Sequence, residues 1–146
     1  MSKISTFEDL NVWVMSRELN KTMFTMLADK DDKLYGFLIN HLFKTSGSVM
    51  DNIAEGFERG GNKEFILFLS YSKGSAGELR SQFYRALDMA VINKSEFDIL
   101  QALVSDISKQ LSLFMNYLKN SNYKGSKFKE PSAIYGNRAP KDKNNP

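Results

Sequence analysis

The three prolines of this chain are Pro131, Pro140 and Pro146, so nothing before residue 120 contains one. A proline in a helix interior removes a backbone hydrogen bond and clashes with the turn before it. Its absence over so long a stretch leaves room for long, unbroken helices. Apolar spacing fills that room. A first helix is expected from about Thr6, a plausible N-cap with Asp9 three residues later, to about Leu27, with Val12, Met15, Leu19 and Met26 at helical spacing. Asp29, Asp31 and Asp32 read as a loop and as the negative start of the next helix, where they complement its dipole. The second helix, about Asp32 to Arg59, puts Tyr35, Ile39, Leu42, Val49, Ile53 and Phe57 on one side, and Gly60-Gly61 stops it. The third opens with Asn62 as cap and runs to about Ala90, with Phe65, Leu69, Ser72, Ala76, Leu79, Phe83, Ala86 and Ala90 in steps of four and three. The fourth opens with Ser95 as cap and runs to about Lys119. Its residues Phe97, Leu100, Val104, Ile107, Leu111, Phe114 and Leu118 make a heptad seam without a gap.

Four such helices with short links predict an all-α fold, an antiparallel up-down four-helix bundle over residues 1–120. A chain of 146 residues suits one core and not two. Residues 121–146 show no apolar period and collect all three prolines with several Asn and Lys, so a flexible, disordered tail is expected there. Charge divides at the same place. Residues 1–120 hold 14 Lys and Arg against 15 Asp and Glu, a net of −1. The tail holds six (Lys124, Lys127, Lys129, Arg138, Lys141, Lys143) against Glu130 and Asp142, a net of +4. The basic balance of the whole chain is thus a property of its tail.

Most site chemistries lack their residues. There is no cysteine, hence no disulfide, thiolate ligand or Cys nucleophile, as suits a reducing compartment. A di-iron site in a bundle needs two inward Glu-x-x-His pairs, but the lone histidine, His41, has Leu38 three residues before it. His41 is expected to be structural or partly exposed. Zinc lacks ligands, no serine stands in a G-x-S-x-G elbow, and Gly74 and Gly77 lie inside a helix with no phosphate-loop pattern around them. No catalytic residue, metal or cofactor is expected. Met1 to Glu8 holds no basic segment followed by an apolar stretch, so no secretory signal is expected, and the longest apolar stretch, Phe65 to Leu69, is far short of a membrane span. The expected location is the cytoplasm, away from membranes.

Two stretches carry a resemblance. One is Phe7-Glu8-Asp9-Leu10-Asn11-Val12-Trp13; the other runs from Ser48-Val49-Met50-Asp51 through Asn52-Ile53-Ala54-Glu55-Gly56-Phe57-Glu58-Arg59, Lys63-Glu64-Phe65 and Phe68-Leu69 to Lys73-Gly74-Ser75-Ala76-Gly77-Glu78-Leu79. Over about residues 6 to 118 the chain resembles the four helix bundle proteins encoded in 23S rRNA intervening sequences, a family similar to the accessory proteins of diversity-generating retroelements. Met50 stands where the family often has proline, and the basic tail is outside the shared pattern. The resemblance implies an up-down bundle that assembles as a ring, commonly a pentamer. Its retroelement branch binds a reverse transcriptase and nucleic acid.

The residues also speak without the family. Ser48, Asn52, Glu55 and Arg59 share one face of the second helix and suit a register network between helices or subunits, or else an anion site at Arg59. Ser70, Gly74, Gly77 and Ser81 form a stripe of small residues. Each helical glycine costs about 1 kcal/mol against alanine, which asks for a close backbone, from a neighbouring helix of the bundle or from a neighbouring subunit. Ile99, Leu103, Leu113 and Tyr117 give the fourth helix a second apolar edge, as self-assembly would require. Arg59 and Lys63 at the turn, Lys73 and Arg80 along the third helix, and Lys124, Lys127 and Lys129 in the tail are candidate phosphate contacts, or a solvated face. The expected function is that of a non-enzymatic, ring-forming accessory protein binding RNA or DNA and a protein such as a reverse transcriptase. The rival is a protein–protein scaffold or regulator without nucleic acid.

Overall fold

A computed structural model describes residues 3–30 and 32–121; the tail residues and the disorder expected of them lie outside the described residues. The described chain is four helices and no strand: α1 (Asn11–Leu27), α2 (Asp32–Glu58), α3 (Asn62–Asp88) and α4 (Lys94–Asn120), with a 3-10 turn at Phe7–Asp9. Each helix packs against the next in the chain and α1 closes the bundle against α4, with α2–α3 and α3–α4 the most extensive pairs. The expected antiparallel up-down bundle is the observed fold.

Local chemistry sets the ends. Asp9 Oδ2 accepts the backbone N–H groups of Ser5 (3.0 Å) and Thr6 (3.1 Å), closing the 3-10 turn. Buried Leu10 then takes an extended conformation, so α1 starts at Asn11 rather than at Thr6. Gly60, at φ 78°, ends α2 in the left-handed region that glycine enters without strain. The cap of α3 is Gly61, while Asn62 uses its Nδ2 to donate to Leu118 O at 3.0 Å. The cap of α4 is Asn93, not Ser95: its Oδ1 accepts Glu96 N–H at 2.8 Å and its own N–H donates to Glu96 Oε1 at 3.0 Å. Ala90, expected at the end of the α3 seam, is instead an exposed link residue at φ 58°.

The core is one cluster. All seven seam residues of α4 are buried, as are Phe65, Leu69, Ser72, Ala76, Leu79, Phe83 and Ala86 of α3. Phe65 stands edge-on to Phe57 (centroids 5.9 Å) and to Phe114 (5.4 Å), joining three helices through ring pairs of favourable geometry. Polar bonds fix the register between neighbours. Asn20 Nδ2 donates to Ser46 O (3.1 Å) while Ser46 Oγ donates to Asn20 Oδ1 (2.9 Å), and Ser72 Oγ donates to Val49 O (2.6 Å). Phe24 meets Phe43 in the same α1–α2 register. By that register α1 runs out opposite about residue 39 of α2, and Leu34 and Phe37, before that point, stand 68% and 80% exposed.

Candidate functional site

The face shared by α2 and α3 carries the polar residues singled out in the sequence, as two separate groups. Ser48 Oγ lies 2.9 Å from Ser75 Oγ across the seam, and Asn52 Nδ2 donates to Ser48 O (2.8 Å) and Ser48 Oγ (3.0 Å). One turn on, Arg59 Nη2 donates to Glu55 Oε1 at 3.1 Å, Nη1 lies 3.9 Å from Glu64, and the guanidinium rests 4.7 Å over the Phe68 ring. The Glu55 and Arg59 side chains are both about half exposed, so their pair contributes about 0.3–0.5 kcal/mol. Arg59 thus ties the end of α2 to Glu64 and Phe68 of α3.

Between these groups α3 side chains come close against the backbone of α2 at Gly56. A Cβ placed on Gly56 would fall 2.5 Å from Phe68 Cβ and 3.1 Å from Phe65 Cδ2. Only glycine fits there, which is the physical content of Gly56 in the Asn52–Arg59 string. Gly56→Ala should therefore lower stability by about 1–3 kcal/mol, the cost of overpacking a filled core, despite alanine's better helix propensity. A urea midpoint equal to that of the unaltered protein would show that α2 and α3 have room to part.

Gly74 and Gly77 behave in the opposite way. Both are exposed and a Cβ on either would meet nothing within 4 Å. Among the described residues no helix backbone approaches Gly74 or Gly77, so of the two partners that the sequence allows, the neighbouring helix of the same bundle is not the one. Leu67 and Tyr71, on the same outer side of α3, are 46% and 50% exposed. On α4, Ile99 and Leu113 are exposed while Leu103 and Tyr117 are half-buried against the core, so the second apolar edge is only partly covered by α1.

Beside the Ser48 network an open groove of about 490 Å³ is lined by Phe43, Lys44, Gly47, Ser48, Asp51, Asn52 and Glu55. Its floor is low because Gly47 and Ser48 are small, and Lys44 stands at one end with Asp51 and Glu55 at the other. His41 lies beyond it, with Nε2 3.6 Å from Glu78 Oε1 and its ring edge-on to Phe37 at 6.2 Å. That is the partly exposed placement expected of it. Among the described residues no three His, Asp or Glu side chains converge as metal ligands, and no helix is long and apolar enough to cross a membrane.

Of the candidate phosphate contacts, Lys63, Lys73 and Arg80 are exposed, and among the described residues none is within ion-pair distance of a carboxylate. Lys63 is at the turn with Arg59; Lys73 and Arg80 lie further along α3, toward α4. Lys124, Lys127 and Lys129 lie outside the described residues. Sequence reasoning missed Ser75, the cross-helix partner of Ser48, and did not separate Gly56 from the open glycines. A signal for the latter was present: Gly74 stands two residues from both Ser72 and Ala76, hence on the far side of the helix from the seam.

Comparison with known protein families matches residues 8–113 to the family described as 23S rRNA-intervening sequence protein. No curated protein matches the chain.

Proposed function

The chain belongs to the 23S rRNA-intervening sequence protein family, and from that membership we propose that it is a non-enzymatic accessory protein of the cytoplasm that assembles into a ring, a pentamer, and binds nucleic acid together with a protein partner such as a reverse transcriptase. The observation that carries the assembly is the outer face of α3. Two glycines there each cost about 1 kcal/mol of helix propensity and, among the described residues, make room for no backbone of their own chain, while half-exposed Leu67 and Tyr71 flank them. A second copy of the chain supplies the missing close neighbour and covers the apolar flanks. The nucleic-acid reading is supported by the family's description, by Lys63, Lys73 and Arg80 without carboxylate partners, and by the six cations of residues 121–146. Ring symmetry multiplies each weak contact.

Gly77→Leu separates assembly from folding. The open space around Gly77 lets the single chain accept leucine, and the helix gains propensity. Light scattering should show the unaltered protein as an oligomer and Gly77→Leu as a folded monomer with full helical circular dichroism. A monomeric unaltered protein at micromolar concentration would remove the ring. The scaffold reading, favoured by the near-neutral balance of residues 1–120, would win if the purified oligomer carried no nuclease-sensitive absorbance at 260 nm and bound no oligonucleotide.

A further inference from the structure

Net charge hides how charge is arranged on the bundle. Three contacts fix the α3–α4 register: Asn62 Nδ2 to Leu118 O (3.0 Å), Gln101 Nε2 to Arg80 O (2.9 Å), and Tyr84 edge-on to Phe97 (5.0 Å). That antiparallel register brings Lys119 level with Lys63 and Lys109 level with Lys73, all exposed, with Lys73 and Lys119 beside the seam and Lys63 and Lys109 on the outer backs of their helices. Arg80 follows Lys73 after two turns, about 10 Å along the axis. Lys63 precedes it by ten residues, about 15 Å. All five cations are exposed, and among the described residues none is within ion-pair distance of a carboxylate. Of the exposed acids of α4, Asp98 is paired with Lys94 at 2.6 Å and Asp106 stands one turn before Lys109. On α3 the exposed acids are Glu64, within 3.9 Å of Arg59, Glu78, 3.6 Å from His41, and Asp88 at the helix end, while Asp51, Glu55 and Glu58 lie on α2. Between the cations α4 presents Gln101, Ser105, Ser108 and Ser112 in steps of four, three and four, all half-buried along the seam. The exposed ring of Tyr84 stands one turn beyond Arg80.

Resting on the nucleic-acid reading above, we propose that the α3–α4 seam is the track for one strand of nucleic acid. The cations Lys63, Lys119, Lys73, Lys109 and Arg80 hold successive phosphates, the serine strip donates hydrogen bonds to phosphate or sugar oxygens, and Tyr84 stacks on a base. A line of positive charge with an aromatic side chain beside it is the arrangement that follows a flexible single strand. Among the described residues the seam is formed by two helix flanks, with no projecting element to enter a duplex groove. Leu67 and Tyr71 lie toward the α2 side of α3, so a second copy docked on them and on the small stripe leaves Lys73, Arg80 and the α4 cations open, with Lys63 at the border of its footprint. Phosphate contacts carry no base code, and little sequence preference accompanies them.

The test uses the full chain and labelled 20-nucleotide single strands of mixed-sequence RNA and DNA, with a 20-base-pair duplex as comparison, followed by anisotropy across a salt series. Lys73→Gln with Lys109→Gln removes two track cations; Arg17→Gln with Lys21→Gln removes two from the outer side of α1. Losing two contacts should reduce the slope of log affinity against log salt by about 1.4, and affinity at 0.1 M salt by about 25-fold. The α1 pair should change it less than about twofold. Tyr84→Leu should weaken binding about fivefold or more, with the salt slope unchanged. Equal weakening by the two lysine and arginine pairs would overturn the track while leaving nucleic-acid binding in place. Duplex bound as tightly as single strand would overturn the single-strand assignment. No binding of any probe by the unaltered chain would overturn the nucleic-acid reading itself and the track with it.

Discussion

Ile107→Ala is expected to lower the free energy of unfolding by about 2–5 kcal/mol, the range for truncating a buried aliphatic side chain to alanine. Ile107 is 1% exposed and central in the α4 seam, with Val104 and Leu111, both fully buried, one turn to either side. Two terms add in this substitution: the removed carbons lose their transfer from water, and the cavity left behind forfeits contacts that long, packed helices cannot easily collapse to recover. For a domain of this size such a loss is a large part of the total stability. Urea unfolding followed by circular dichroism measures it, at one protein concentration for both proteins, because self-association adds concentration-dependent stability. Lys109→Ala, at an exposed position of the same helix, is the matched comparison and should stay within about 0.5 kcal/mol. An unmoved midpoint for Ile107→Ala would mean that the seam is not the packed centre of the bundle.

That seam was legible in the sequence because a heptad repeat depends on helix geometry alone. Phe97, Leu100, Val104, Ile107, Leu111, Phe114 and Leu118 face one way in any α-helix, and burying that side is the only way to remove it from water. The ends were less legible because several residues near each end can cap. Asn93 prevailed over Ser95 through Glu96, three residues on, which completes a reciprocal pair of bonds. The break at Leu10 was hidden for a related reason: the Thr6–Asp9 pairing that looks like a helix start closes a 3-10 turn just as well. At the candidate site, the Ser48–Asn52 pairing follows from i,i+4 spacing, whereas Ser75 required knowing how α2 and α3 align. The glycines divide along the same line. Periodicity places Gly56 next to seam residues Ile53 and Phe57 and Gly74 opposite its seam, but how closely Phe68 approaches Gly56 is a matter of tertiary packing. The proposed cation track could not be read along the sequence, because Lys73 and Lys109 are far apart in the chain and come level only through the α3–α4 register.

Nucleic-acid binding should depend steeply on salt, and removal of residues 121–146 should have the larger share of that dependence. These residues carry six cations and two acids, and α4 delivers the chain to them at Asn120, at the Lys63–Lys119 end of the track. A single strand leaving the track there enters the region of that extra charge. If the four net charges each neutralise one phosphate, a chain ending at Asn120 should show a slope shallower by about 2.8, and at 0.1 M salt bind about 600-fold more weakly. At 1 M salt the two chains should converge, because condensed counterions are then released at little entropic advantage. Lys73→Glu with Arg80→Glu in the shortened chain should weaken what binding remains, since those cations belong to the folded seam. Anisotropy of labelled single strands from 0.05 to 1 M salt measures both effects. Binding lost altogether with residues 121–146, with no further response to Lys73→Glu and Arg80→Glu, would place the whole interaction in the tail and overturn the track on the bundle. Binding undiminished by the shortening would place it wholly on the helices, with the tail's charge answering to some other partner.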